Sequence, residues 1–335
     1  MSPAFHIVPG DIVAALLAAD RDAVFDAVAE GYRLHAEGAS INPDSYFLRF
    51  PDKPRDRIIA LPAYLGGDVD MAGIKWIASF PGNRALGLAR ASAVLVLNDY
   101  ATGYPVACIE GSAISATRTA CLAARAVEAL SGVRSGIVTL VGTGPIGRTT
   151  LAWLHHRGWS FSAVRLFDLD AGAAQRCAEW VGATFGCPVD IAPDAVAAMA
   201  DAALVVLATT SGEPWLDDPR AFAANPTVLH LSLRDIDIAR ILDAQNIVDD
   251  VDHSLKARTS LHLAELATGD RAFVAGTLHD VIARRVAPDF TRPRIFSPFG
   301  LGVLDIALGA MVWRGAVADG TAIEVPGFFA EAPCP

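Results

Sequence analysis

An α/β protein, with one doubly wound parallel-sheet domain joined to a mixed α+β domain, is what this 335-residue sequence predicts. Three observations carry that expectation. The run Ser135-Gly-Ile-Val-Thr-Leu-Val-Gly-Thr-Gly-Pro-Ile-Gly-Arg148 sets a β-branched apolar stretch against a glycine-rich turn that opens into a helical pattern. Residues 135–280 then alternate strand and helix patterns, as parallel sheets with crossover helices do. Before that turn, residues 40–110 read instead as mostly antiparallel strands.

Composition narrows the class. Hydrophobic residues make up 53% and charged residues 19%, which supplies a core for two domains and argues against disorder. The formal net charge of −10 argues against a nucleic-acid or anionic-membrane surface, since both need clustered positive charge. The five cysteines (Cys108, Cys121, Cys177, Cys187, Cys334) are scattered, odd in number and without a CxxC. No disulfide framework and no metal site are therefore expected, and a reducing cytoplasm fits. The N-terminus shows no basic segment ahead of an apolar run, and no apolar stretch approaches the roughly 20 residues of a membrane span.

In chain order, residues 11–37 read as one long amphipathic helix, with Ile12, Leu16, Leu17, Val24, Val28 and Tyr32 near helical spacing and Gly38 at its end. Tyr46-Phe-Leu-Arg-Phe50 alternates, a turn runs over 51–57, and Arg57-Ile-Ile-Ala-Leu61 returns as a hairpin. Further strands follow at 72–79, 92–98 and 104–110. Residues 112–130 form a helix rich in small residues. Beyond the glycine turn, strands are expected at 163–167, 204–210, 227–232 and 246–249, and a helical run at 303–312.

The turn at 142–147 is a GxGxxG in the context that a dinucleotide-binding, Rossmann-type unit requires. Gly142 permits the tight turn, Gly144 lets the backbone approach a pyrophosphate, and Gly147 lets helix and strand pack closely; the phosphates sit on the free N–H groups of the helix N-terminus. Thr143, Pro145 and Ile146 complete the loop. Asp168, about 20 residues beyond it, stands where a carboxylate accepts hydrogen bonds from a ribose hydroxyl. A carboxylate there repels a 2′-phosphate, so NAD is expected over NADP; Asp170 is the alternative. Thr209, Thr210 and Ser232, at the carboxyl ends of their strands, join the cofactor set.

Charged residues in apolar or turn settings are the candidates for chemistry. Arg49 lies on an alternating strand, Lys75 between Ile74 and Trp76, and Arg118 among alanines and threonines. Asp235 follows the strand at 227–232, beyond the end where open α/β sheets bind ligands. Spacing alone leaves each open to a second role: solvent face for Arg49 and Lys75, an ion pair for Arg118, a helix N-cap for Asp235. Arginines grip carboxylates in a bidentate way, and a lysine shielded from water moves protons near neutrality, so the set suits an amino-acid substrate. His155 and His156 read as surface residues, while His253 could line the nicotinamide end of a cofactor.

With Arg49, Lys75 and Arg118 ahead of a late GxGxxG, the layout resembles the ornithine cyclodeaminase/μ-crystallin family over nearly the whole chain. The resemblance implies a Rossmann NAD-binding domain (131–303) and a mixed α+β substrate-binding and dimerisation domain built from both chain ends (1–130 and 304–335). It implies that Arg49 and Arg118 hold the substrate carboxylate, that Lys75 shares in binding and chemistry, that Asp235 serves the chemistry, and that the protein is a homodimer. Asn42-Pro-Asp-Ser-Tyr-Phe-Leu-Arg-Phe-Pro51, Gly73-Ile-Lys-Trp-Ile-Ala-Ser-Phe-Pro-Gly-Asn83, Leu231-Ser-Leu-Arg-Asp235 and Ser297-Pro-Phe-Gly-Leu-Gly302 are similar to one branch in particular. That branch oxidises the conjugate N-(2-amino-2-carboxyethyl)-L-glutamate with NAD, releasing 2-oxoglutarate and L-2,3-diaminopropionate for siderophore or peptide-antibiotic synthesis. Ser232-Leu-Arg-Asp-Ile236 departs from the glycine-containing loop of cyclodeaminases. A cyclodeaminase, an amino-acid dehydrogenase and a non-catalytic dinucleotide-binding protein remain the alternatives.

Overall fold

The computed structural model describes residues 3–330. The chain divides into two compact units, Met1–Arg118 with Leu301–Pro335, and Thr119–Gly300. Cys334 lies outside the described residues, and Cys108, Cys121, Cys177 and Cys187 are free thiols. Among the described residues no helix is long and apolar enough to cross a membrane.

The first unit is a mixed sheet with helices on one face. Its chain runs through β1 (His6–Val8), α1 (Gly10–Ala19), α2 (Arg21–Ala36), β2 (Ser40–Ile41), β3 (Tyr46–Phe50), β4 (Lys53–Leu65), β5 (Met71–Ser79), β6 (Ala91–Asp99) and β7 (Pro105–Glu110). The sheet is ordered β1-β7-β6-β5-β4-β2, with β3 also on β4 and the short strand Ile323–Glu324 beside β1. All pairs are antiparallel except β1 with β7. The C-terminal helix Gly302–Ala318 packs on α2 and across β4, β5 and β6. That approach is close: a Cβ on Gly309 would run into the Leu95 side chain, which would have to shift to admit it.

Two expectations for this unit need correction. The helix expected over 11–37 is two helices, because Asp20 breaks the first and caps the second, its carboxylate accepting the Ala23 N–H at 2.9 Å. The hairpin turn expected over 51–57 is far tighter. Lys53 already pairs with Phe50, so β4 begins there and runs on past Leu61 to pair with both β3 and β5.

The boundary between the units falls within α3 (Ser112–Leu130). The second unit contains β8 (Ser135–Val141), α4 (Pro145–His156), β9 (Ser160–Phe167), α5 (Ala171–Phe185), β10 (Val189–Ile191), β11 (Leu204–Leu207), β12 (Thr227–His230), β13 (Gln245–Val248), β14 (Val274–Thr277) and β15 (Arg294–Ser297). These strands form one sheet in the order β10-β9-β8-β11-β12-β15-β13-β14, parallel throughout. The chain steps outward from β8 to β9 and β10, then returns to the other side of β8 at β11. That reversal is the switch point where such sheets bind ligands. β11 and β12 are buried at every position, as a sheet covered on both faces requires.

One central strand escaped the sequence. β15 sits between β12 and β13, yet it is only Arg-Ile-Phe-Ser after a proline and begins with a charge. The structure accommodates Arg294 by giving its guanidinium carbonyl partners, among them Asn225 O at 2.9 Å. The strands expected to reach Thr210 and Ser232 end at Leu207 and His230, which leaves both residues in the loops beyond the sheet.

Candidate active site

In the first unit Lys75 occupies the middle of β5, between Leu61 of β4 and Leu95 of β6. Alternation along the strand turns it towards the helix-covered face and leaves Trp76 on the other. Lys75 is 2% exposed, so its ammonium is held by protein groups and not by water. It donates to Asp305 Oδ2 at 2.7 Å and to Ser115 Oγ at 3.1 Å. Arg118, also buried, donates from Nε to the other oxygen of Asp305 at 3.3 Å. One buried carboxylate thus serves two buried cations, which leaves the cluster with a net positive charge. Burial pushes the Lys75 ammonium down to about 8; Asp305 opposes that fall and Arg118 adds to it.

Asp305 was missed by sequence reading, although a signal was present. It is the lone charge in Gly300-Leu-Gly-Val-Leu-Asp-Ile-Ala-Leu-Gly309, and a carboxylate in so apolar a helix needs a buried cation. Arg49 lies apart from this cluster on β3, exposed, with its guanidinium 5.2 Å from the Phe47 ring centre.

The second unit builds two clusters at the carboxyl ends of its strands. In the glycine loop, Gly142 has φ +88°, and a Cβ there would stand 2.5 Å from Ala208 O. A Cβ on Gly147 would meet Leu140 Cδ1 at 2.5 Å, whereas one on Gly144 would meet nothing within 4 Å. The first and last glycines therefore serve packing, and the middle one faces open space. Asp168 Oδ2 accepts the Thr143 N–H at 2.8 Å and its hydroxyl at 2.9 Å, which ties strand β9 to the loop. Asp170 instead caps α5, accepting from the Ala173 N–H at 3.0 Å.

Asp235 is fully buried and does not cap a helix; Asp237 caps the next one. Its carboxylate accepts from Thr209, Ser232 and the Trp215 indole N–H, the last at 2.9 Å, while His230 Nε2 lies 3.4 Å from Oδ2. Burial pushes Asp235 up, but the hydrogen bond and charge of His230 and the two hydroxyls outweigh it and hold the carboxyl at about 2. The structure thus gathers Thr209, Ser232 and Asp235 into one network, with Thr210 exposed beside it. Within the intervening turn Leu233 adopts φ +70°, a conformation favouring glycine, and its carbonyl is fixed by the Ser260 N–H at 2.8 Å. Asp249 is a further residue the sequence did not reveal. Buried at the end of β13, it accepts the Phe299 and Gly300 N–H groups at 2.9 and 2.8 Å and so anchors the Ser297–Gly300 turn. The His253 ring lies 3.3 Å from Asp250 Oδ1 and 6.4 Å from the Phe299 ring centre.

The comparisons extend over this whole arrangement. The model of the ornithine cyclodeaminase/mu-crystallin family matches residues 13–220. The N-((2S)-2-amino-2-carboxyethyl)-L-glutamate dehydrogenase of Staphylococcus aureus is 27% identical over 306 residues, 87% of this chain and 89% of that protein. Among solved structures, the Delta(1)-pyrroline-2-carboxylate reductase of Thermococcus litoralis, in complex with NADH and L-proline, superposes with a TM-score of 0.88 at 20% identity, covering 96% of this chain and 100% of the other. An archaeal alanine dehydrogenase dimer with bound NAD gives 0.85 at 23% identity, covering 97% and 100%.

Proposed function

Because the chain belongs to the ornithine cyclodeaminase/mu-crystallin family, we propose that it is an NAD-dependent dehydrogenase acting on a CH–NH bond of an amino-acid conjugate. The substrate of this reading is N-(2-amino-2-carboxyethyl)-L-glutamate, and the products are 2-oxoglutarate, L-2,3-diaminopropionate and NADH. The observation that carries it is the buried Lys75–Asp305–Arg118 cluster, whose unbalanced positive charge calls for a carboxylate ligand beside a lysine that titrates near neutrality.

The glycine loop fits a dinucleotide, since Gly144 leaves its side of the loop open and Asp168 stands at the tip of β9. Backbone N–H groups of 142–147 would hold the pyrophosphate and Asp168 a ribose hydroxyl; Thr209, Thr210 and Ser232 would flank the cofactor, with Asp235 fixing their loops. When bound, NAD supplies the hydride acceptor. The protein's own residues do the rest. Arg118 and Arg49 hold substrate carboxylates. Neutral Lys75 takes the proton of the substrate nitrogen as the C=N bond forms, returns it to that nitrogen, and is then free to take a proton from the water that adds to the C=N carbon. Collapse of that carbinolamine breaks the C–N bond as the Lys75 ammonium gives its proton to the departing nitrogen, which frees the diamine.

The test is a substrate panel followed at the NADH absorbance, with 2-oxoglutarate and the diamine identified among the products. NADH formation with the glutamate conjugate is the expected result. Formation with ornithine or L-alanine alone would favour a relative's chemistry, and tight NAD binding without turnover on any of them would make the protein a binder.

The resting assembly of this reading is a homodimer. On the face opposite Lys75, Tyr46, Ala60, Trp76 and Val94 stand in cross-strand register, with Tyr46, Trp76 and Val94 exposed by 71%, 41% and 41%. An apolar row of that kind on a central sheet marks an interface between copies. Trp76→Glu should leave a monomer at micromolar concentration by light scattering, and a dimeric Trp76→Glu protein would rule this face out.

A further inference from the structure

Away from the Lys75 cluster, the first unit assembles arginines with no acid to balance them. Arg49 of β3 stands directly opposite Arg57 of β4, and Arg57 stands opposite Ser79 of β5. Arg90, just before β6, reaches the same place and donates to Ser79 Oγ at 2.7 Å. Like charges in directly opposed sheet positions destabilise the pair. Arg57 and Arg90 are moreover half-buried, so water screens them only in part. Among the described residues no carboxylate pairs with Arg49, Arg57 or Arg90. Some other arginines of this chain are matched, as Arg33 is by Glu30 and Glu37, or Arg157 by Glu128. What sets this row apart is that its like charges stand in opposed register beside one serine, a local positive charge that an anion would neutralise.

Register places the row relative to the reaction site. Lys75 and Ser79 are separated by two strand repeats and share a face of β5, so the arginine row lies about 13 Å along the sheet on the same side. The long lysine and arginine side chains shorten that backbone spacing from both ends, so a substrate with a second carboxylate beyond the reacting carbon can meet the row while the reacting carbon stays near Lys75. We propose that Arg57 and Arg90, with Arg49 and the Ser79 hydroxyl, form a distal carboxylate subsite that selects substrates bearing a second acid group remote from the reacting carbon. The subsite deepens the functional reading above and rests on it only for the identity of the substrate.

Guanidinium forks meet carboxylates in two parallel hydrogen bonds, whereas an ammonium offers a point charge. Each arginine is therefore expected to act on affinity, with a conservative lysine restoring part of it. The experiment compares wild type, Arg57→Met, Arg90→Met and Arg90→Lys in two assays. The first is steady-state kinetics with N-(2-amino-2-carboxyethyl)-L-glutamate and NAD. The second is calorimetric binding of 2-oxoglutarate and of pyruvate in the presence of NADH, two acids that differ by the distal carboxylate. The methionine variants should raise KM for the conjugate by about 10- to 100-fold with a much smaller fall in kcat and an unchanged KM for NAD. They should weaken 2-oxoglutarate binding by a similar factor and leave pyruvate binding alone, with Arg90→Lys intermediate. Equal effects on both acids, no effect on either, or dissociation of the native oligomer would each overturn the subsite. If wild type does not turn over the conjugate, the functional reading fails while the two acids still decide the subsite.

Discussion

Replacing Lys75 with methionine should abolish turnover, by at least about 10³-fold in kcat, while changing NAD affinity no more than a few-fold. A positioned general base contributes roughly 10²–10⁴-fold, and Lys75 is the buried group whose charge state changes near neutral pH in the first unit's cluster. Methionine keeps the length and apolar bulk of the stem, so packing between Leu61 and Leu95 survives. The variant also leaves Asp305 with Arg118 alone, one buried carboxylate on one buried cation, so the fold has no new unpaired charge to carry. Its pH signature has a definite sign. With the ammonium lowered from 10.5 to about 8, the folded protein binds fewer protons than the unfolded chain between those values. Wild-type stability therefore rises from pH 8 to 10.5, and falls as pH drops through about 8. Wild-type kcat/KM should likewise rise through pH 8 as the neutral amine forms. Denaturation and rate profiles of the two proteins check this together: the methionine variant loses both features. A comparable loss of NAD binding would show instead that Lys75 supports the nucleotide unit and not the chemistry.

What could be read in the sequence followed from interactions between near neighbours. The glycine loop is legible because each glycine answers a local constraint: a positive φ at 142, open space at 144, a helix packed on its strand at 147. Lys75 and Arg118 were conspicuous as charges in apolar surroundings, and both proved buried. Their meaning was not legible, because the carboxylate that joins them comes from position 305, far along the chain and on a helix that only the folded unit brings across β5. Asp235 was found by its place after a strand, but its three side-chain donors, Thr209, Trp215 and Ser232, come from the loops after two different strands, so its saturation could not be seen. Arg57 falls where the expected turn over 51–57 meets the returning strand, which gives it no partner in register. Once β4 starts at Lys53, Arg57 becomes a sheet position facing Arg49. β15 failed for a different reason: four residues starting with arginine carry no periodicity, and tertiary burial overrides local propensity there.

Asp305→Leu should be the most destabilising single change in the protein, by about 3–5 kcal/mol, because it leaves two buried cations facing each other without an acid. Asp305→Asn separates that structural cost from the chemistry. The amide keeps the shape and one acceptor oxygen but removes the negative charge, which is what opposes the burial-driven fall of the Lys75 ammonium. The rise of kcat/KM in Asp305→Asn should therefore move to lower pH than in wild type, while a merely structural carboxylate would lower the plateau and leave the midpoint where it was. Adding Lys75→Met to Asp305→Asn should recover part of the lost stability, since one buried cation then remains in place of two. Urea denaturation of the two single variants and the double variant gives the coupling between the sites, expected within the 0.5–3 kcal/mol typical of residues in contact. Strict additivity would mean that the 2.7 Å contact does no energetic work. In that case Arg118 alone would hold Asp305, and the C-terminal helix would do nothing to hold the Lys75 ammonium up against its burial.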